Sequence, residues 1–148
     1  MRIAYGADDE NGTTRAVREY LTAQGHEVVS ATASDRWPDI GAAVGRAVAA
    51  GDAERGVVMC WTGTGTAIAA NKVPGVRAAL AWEPWIAQGA RLWNDANVLA
   101  MSLKRLAPDV AVEVTAAFLE TSGPDPDEAG NIALLDGIAD QAPDGSPA

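Results

Sequence analysis

Gly56-Val57-Val58-Met59-Cys60-Trp61-Thr62-Gly63-Thr64-Gly65-Thr66, followed by Ala69-Ala70-Asn71-Lys72, is the stretch whose reading decides the fold. A short run of uninterrupted apolar residues is what a strand buried on both faces requires. It leads straight into a turn with two glycines that opens a helix. Such a turn lines up free backbone N–H groups at a helix N-terminus, a setting that favours an anion or a developing oxyanion. The same turn puts a thiol, Cys60, and a hydroxyl, Thr62, at its mouth. Together these are parts for moving a proton next to a carbonyl, provided the thiol faces a pocket.

Working outward, the pattern repeats. Met1–Tyr5, Glu27–Ala31, Gly56–Cys60, Arg77–Ala81 and Asn97–Met101 read as five strands. Thr13–Gln24, Pro38–Ala50, Thr66–Lys72, Pro84–Trp93 and Pro108–Leu119 read as the helices between and after them, with apolar residues at helical spacing. Gly25 and Gly51 stop the first two helices. Five strand–helix alternations predict a doubly wound, Rossmann-like parallel α/β sheet with helices on both faces, a three-layer sandwich. Ligands of such sheets bind beyond the carboxyl ends of the strands. Ala7–Gly12, Cys60–Gly65, Trp82–Trp85 and Ser102–Arg105 are expected at that edge. Residues 1–121 form the α/β domain in this reading. Residues 122–148 supply a Gly/Pro/Asp linker, a last helix over Glu128–Gln141 with Ile132, Leu135 and Ile138 as its stripe, and a frayed acidic tail.

The bulk properties narrow the function. The 148 residues carry a net charge of -9, with no Lys or Arg after Arg105. That balance argues against nucleic acid and anionic membranes as partners. A single cysteine excludes an internal disulfide and fits a reducing compartment. The chain opens directly on a strand, with no leader, and no stretch reaches membrane-spanning length, so the cytoplasm is expected. His26, the only histidine, falls in a helix-to-strand turn, which leaves no Ser-His-Asp, Cys-His or histidine-metal machinery. Asp8, Asp9 and Glu10 read as a solvated loop, a clamp for ligand hydroxyls, or a Mg²⁺ site; one carboxylate cluster alone assigns no metal.

The wording and order of these segments resemble the ribose-5-phosphate isomerase type B and galactose-6-phosphate isomerase family, from Met1 to about Leu119. The resemblance is carried by Met1-Arg2-Ile3-Ala4-Tyr5-Gly6-Ala7-Asp8, by Gly25-His26-Glu27-Val28 and by Ala49–Gly56. It is carried further by Cys60-x-Thr62-Gly63-x-Gly65 with Ile68–Gly75, and by Asn94-Asp95-Ala96-Asn97-Val98-Leu99-Ala100. It implies aldose–ketose chemistry through a cis-enediol, without an organic cofactor or metal. By position, Cys60 falls on the catalytic base of one branch, and Thr62 on the residue that assists proton movement between sugar oxygens. The amides around Gly63, Thr64 and Gly65 fall on the enediolate-stabilising loop, Asn94 on a hydroxyl contact and Asp8 on a substrate-contacting carboxylate. The family also implies a homodimer or tetramer with its site at a subunit interface.

The departures concern the same chemistry. The family histidine after the first-loop aspartate is Asp9 here, and the ring-opening histidine before Asn-Asp is Trp93. The arginine after the fifth strand is Lys104, followed by Arg105. The phosphate-binding arginines beyond the last long helix give way to Pro124-Asp125-Pro126-Asp127-Glu128. A phosphate monoester needs Arg or Lys. One like-charged contact at 4 Å costs about 4 kcal/mol at an effective dielectric of ~20. Trp61 stands where the family has glycine, and Trp82, Trp85 and Trp93 fall near it in the expected layout, while Trp37 reads as packing.

These observations predict an isomerase-like enzyme that moves a proton alpha to a carbonyl on an unphosphorylated, sugar-like or flatter substrate. Cys60 and Thr62 would do the chemistry, and Gly63, Thr64 and Gly65 would hold the oxyanion. Asp8, Asp9, Trp61, Trp93, Asn94 and Lys104 would bind the substrate. Two other readings stay open: a catalytically silent binding homologue or hetero-oligomer subunit, and an ordinary ribose-5-phosphate isomerase with altered phosphate ligands. Cys60 also reads as a small buried hydrophobe at a strand end.

Overall fold

In the computed structural model, which describes residues 1–138, five parallel strands form one sheet. These are β1 (Arg2–Ala7), β2 (Glu27–Ser30), β3 (Arg55–Cys60), β4 (Ala78–Leu80) and β5 (Val98–Ser102). Helices α1 (Gly12–Ala23), α2 (Trp37–Ala49), α3 (Thr64–Asn71), α4 (Pro84–Asn94) and α5 (Pro108–Glu120) connect and follow them. A short 3₁₀ turn (Pro126–Glu128) then leads into α6 (Ala129–Ile138). The doubly wound α/β expectation therefore holds. The last helix was expected to run to Gln141; its residues after Ile138 lie outside the described ones.

Side-chain alternation along the central strands builds the two cores. Ile3 and Tyr5, Val57 and Met59, and Leu99 and Met101 point to one face, where Val17, Leu21, Ala87, Ala90, Val114 and Phe118 of α1, α4 and α5 cover them. Ala4, Val58, Val98 and Ala100 point to the other, under Ile40 and Val44 of α2 and Ala67 and Ala70 of α3. A period of two with both faces apolar is what a doubly covered sheet demands.

The strand order is β2-β1-β3-β5-β4. The chain winds outward from β1 to β2, returns to β3 on the far side of β1, jumps to the edge at β4 and comes back to insert β5. The reversal of direction between β1 and β3 opens a crevice at their carboxyl ends, the usual ligand position in such sheets. Backbone pairing continues past the strand ends there: Asp8 N–H donates to Met59 O at 3.2 Å, and Leu103 N–H donates to Cys60 O at 3.0 Å. The first loop is also tied to the fifth by Asn11 Nδ2 donating to Leu103 O at 2.7 Å.

The core also holds a charge. Arg91 is 2% exposed. Its guanidinium donates to Asp95 Oδ1 and to Ala96 O, each at 2.7 Å, and lies 5.9 Å from the Phe118 ring centroid. Asp95 adopts a left-handed conformation at the end of α4, with φ 45°, and also accepts from Arg77 at 2.9 Å. Asn97 takes the Arg77 N–H and donates to Gly75 O. Much of the Asn94–Asn97 motif is thus a structural clasp between β4, α4 and β5.

Candidate active site

A hollow of about 420 Å³ opens at the β1/β3 crevice, lined by Asp8, Trp37, Cys60, Trp61, Thr62, Thr64 and Gly65. Each lining residue has a reason to be there. Asp8 follows β1, and Cys60 ends β3. The strand's alternation turns Cys60 toward the α2/α3 face, where it is 4% exposed at the floor of the hollow. Gly63 then takes φ +78° as the N-cap of α3, a conformation L side chains rarely adopt. A Cβ there would also stand 2.7 Å from the Met101 carbonyl carbon. The first helical hydrogen bond is Ala67 N–H to Gly63 O, so the N–H groups of Thr64, Gly65 and Thr66 have no partner further back in the helix. Helix α3 starts at Thr64, two residues earlier than the spacing predicts, because the left-handed glycine can serve as its cap.

The polar atoms divide into satisfied and open ones. Thr62 Oγ1 and Thr64 Oγ1 share a hydrogen bond of 2.6 Å. Thr66 is fully buried, and its Oγ1 lies 3.5 Å from Cys60 Sγ and 3.2 Å from Gly63 O, placed to donate to either. Asp8 Oδ1 is buried and has no hydrogen-bond partner. Burial, above all, holds the Asp8 carboxyl above its ordinary range, partly offset by its own backbone N–H, with Asp9 adding to the rise. Asp8 lines the hollow, and a buried carboxylate oxygen left without a partner beside it is a place for a donor. Lys104 Nζ sits 4.2 Å from the centroid of the Trp61 ring at the rim. Ser102 Oγ donates to Trp61 O and accepts from Arg105 N–H, fixing the loop beneath.

Six of the residues singled out from sequence therefore meet in the hollow: Asp8, Cys60, Trp61, Thr62, Thr64 and Gly65. Gly63 lies buried under them, and Lys104 stands at the rim. Three do not join. Asp9 is exposed, and its carboxylate turns back onto the Glu10 N–H at 2.8 Å. Glu10 is paired with Arg18 at 2.9 Å, so the acidic trio is dispersed, and among the described residues no group of three His, Cys, Asp or Glu side chains is placed to hold a metal. Trp93 and Asn94 close α4, which runs back from the edge strand β4, so its last residues belong to the opposite end of the sheet. The Trp93 ring lies along α4 over Gly89 and meets Trp85 edge-on, with centroids 5.5 Å apart. Asn94 lines a second cavity of about 1060 Å³ with Asn71–Ala79, Leu135 and Ile138. The expectation that Trp93 shares an edge with Cys60 is corrected by this helix direction.

Trp37 is the residue that sequence reasoning misplaced. Expected to be packing, it is 45% exposed and forms a wall of the hollow. Its ring covers Gly65 so closely that a Cβ there would be 2.9 Å away. The signal was available: Trp37 opens the helix after β2, and that loop must reach the same carboxyl edge as the others.

A thiol, paired hydroxyls, an open carboxylate oxygen and helix-capping amides at the switch point of a parallel sheet define a class of α/β proteins suited to proton transfer on small polar molecules. The comparisons specify it. The family model described as Ribose/Galactose Isomerase matches residues 3–133, and the chain belongs to this family. It is 35% identical over 123 residues to ribose-5-phosphate isomerase B of Escherichia coli, covering 80% of this chain and 83% of that one. It is 32% identical over 126 residues to D-erythrulose-4-phosphate isomerase of Pectobacterium atrosepticum, covering 81% and 83%. Among solved structures, ribose-5-phosphate isomerase B of Clostridium thermocellum superposes with a TM-score of 0.88 at 32% identity, over 95% of this chain and 98% of the other.

Proposed function

We propose that this protein interconverts an aldose and a ketose, or a comparable hydroxy-carbonyl pair, by moving a proton between adjacent carbons through an enediol. The observation that carries the reading is the convergence of Cys60, the open Asp8 oxygen and the α3 amides on one hollow. Cys60, as thiolate, takes the proton from the carbon next to the carbonyl. The electron pair left behind forms the C=C bond of the enediolate, and the charge passes to the former carbonyl oxygen. The amides of Thr64 and Gly65, at the mouth of α3, receive that oxygen, each such donor being worth about 3 kcal/mol in the transition state. The Thr62–Thr64 hydroxyl pair carries a proton between the two substrate oxygens. Cys60 then returns its proton to the neighbouring carbon, so the enzyme ends as it began. Asp8 accepts from a substrate hydroxyl, while Trp37 and Trp61 supply flat walls for the carbon skeleton.

The substrate in this reading is unphosphorylated. The segment Asp125–Glu128 packs against the end of α4, with Asp125 N–H donating to Leu92 O at 2.8 Å. If a second copy completes the site with the end of its α4, where Trp93 and Asn94 lie, it brings the carboxylates of Asp125, Asp127 and Glu128 along with them. That environment repels a phosphate dianion. A phosphorylated substrate is the second reading, favoured by the names of the Escherichia coli and Pectobacterium atrosepticum relatives and by Lys104 at the rim. The test is product formation from 1-¹³C-labelled ribose, allose and ribose 5-phosphate, followed by NMR. A ketose signal from an unphosphorylated sugar supports the first reading. Turnover of ribose 5-phosphate alone supports the second, and no ketose from any of them counts against both.

A further inference from the structure

The hydroxyl of Thr66 takes no part in the steps above, yet Thr66 is fully buried beside the reacting thiol. It lies within hydrogen-bond reach of two acceptors, Cys60 Sγ at 3.5 Å and Gly63 O at 3.2 Å, but a hydroxyl has one proton and can serve only one at a time. We propose that Thr66 is a positioning residue for Cys60, a rotating hydroxyl that solvates the sulfur in both protonation states through the turnover cycle. With Cys60 as thiolate, Thr66 O–H donates to Sγ. Once the thiol forms, its S–H donates to Thr66 Oγ1, and the Thr66 proton swings to Gly63 O. The base therefore gains and loses its proton without leaving a buried polar group unpaired, a cost that would otherwise fall on one half of the cycle.

The other charges around the sulfur do not do this. Asp8, from the β1 loop, shares the hollow and opposes a thiolate. Lys104, from the β5 loop, is held over Trp61. At the start of α2, Arg36 and Asp39 are paired with each other at 2.7 Å. Helix α3 carries no charged side chain between Thr64 and Asn71. None of these changes when Thr66 is substituted, so a variant at this position isolates the hydroxyl.

This inference rests on Cys60 being the base, and the experiment separates the two. Cys60 is the only cysteine, so the pH profile of iodoacetamide alkylation reads this thiol alone, with no substrate needed. In Thr66→Val, which keeps the shape and removes the hydroxyl, the midpoint of the profile moves up by about one pH unit, the tenfold effect of losing a hydrogen bond to a charged group. Thr66→Ala moves it in the same direction. Thr66→Ser, which keeps the hydroxyl, restores the wild-type midpoint. A profile in Thr66→Val or Thr66→Ala that superposes on the wild type overturns the inference, as does a Thr66→Ser profile displaced upward; the serine variant is decisive even where the others fail to fold. A wild-type thiol that is inert at every pH overturns the base assignment itself, and this inference with it.

Discussion

Replacing Gly63 by alanine tests whether the turn that aims the α3 amides is held by backbone geometry. Gly63 sits at φ +78°, where an L residue costs roughly 1–2 kcal/mol. A Cβ at this position would stand 2.6 Å from Leu80 Cδ1, 2.7 Å from the Met101 carbonyl carbon and 2.9 Å from its oxygen. Leu80 can turn away. The Met101 backbone cannot, since it is paired with Met59 of β3. Forcing a methyl into such a contact adds about 1–3 kcal/mol, for a total of ~3 kcal/mol. Gly51 supplies the control: it has φ +79° with nothing within 4 Å of its Cβ position, so Gly51→Ala shows only the conformational part. Urea unfolding of both variants is the assay, at constant slope. With a slope of about 1.5–2 kcal/mol/M for a domain of this size, Gly63→Ala lowers the midpoint by roughly 1.5–2 M and Gly51→Ala by about a third to two-thirds of that. Equal midpoint shifts in the two variants would refute the close-packing argument and leave the turn free to move.

Three further outcomes follow from the same geometry. Burial raises the Asp8 carboxyl in the folded protein, so the folded state binds this proton more readily than the unfolded chain, and ionisation of Asp8 subtracts stability as pH rises through its folded value. Asp8→Asn therefore unfolds at a higher temperature than wild type near neutrality, loses that advantage in acid below the carboxylate range, and binds substrate more weakly; thermal melts across pH check the sign. Arg91→Ala, which removes a buried guanidinium with its bonds to Asp95 and Ala96, costs about 3 kcal/mol, read by urea unfolding, where a change under 1 kcal/mol would contradict its place in the core. If two copies share each site, mixing inactive Cys60→Ala and Asn94→Ala proteins under exchange conditions restores roughly a quarter of wild-type turnover, because half the random dimers are mixed and each mixed dimer has one intact site of two; no recovery would mean that Cys60 and Asn94 act in the same subunit or not together.

The sheet was legible because its strands are apolar on both faces and its punctuation is chemical. Gly25 and Gly51 stop helices at positive φ, and Pro84 and Pro108 start them. What the pattern could not give was the insertion of β5 between β3 and β4, since strand order is set by how the crossover helices pack and not by any local period. Most of the hollow was legible for the same topological reason, as Asp8 and Cys60–Gly65 follow neighbouring strands. Trp93 was misplaced because its motif neighbourhood was weighed without its position at the end of a returning helix. Trp37 follows the opposite logic: it opens the helix after β2, whose loop reaches the carboxyl edge, so topology rather than local sequence places it in the hollow. Arg91 gave no sequence signal: an arginine on an amphipathic helix reads as solvated, and only the packing of Asp95 and Phe118 around it shows otherwise. Two residues of the expected α6 stripe, Leu135 at 41% and Ile138 at 63% exposed, find no cover within the described residues.

The account's central claim is proton transfer by Cys60 on an unphosphorylated sugar-like molecule. The direct measurement is deuterium incorporation from D₂O, followed by NMR, into ribose, allose, small hydroxy-ketones and ribose 5-phosphate, with Cys60→Ala in parallel. The account predicts exchange at the carbon next to the carbonyl of an unphosphorylated compound, and its loss in Cys60→Ala. Exchange confined to ribose 5-phosphate, or exchange that persists without the thiol, would contradict it.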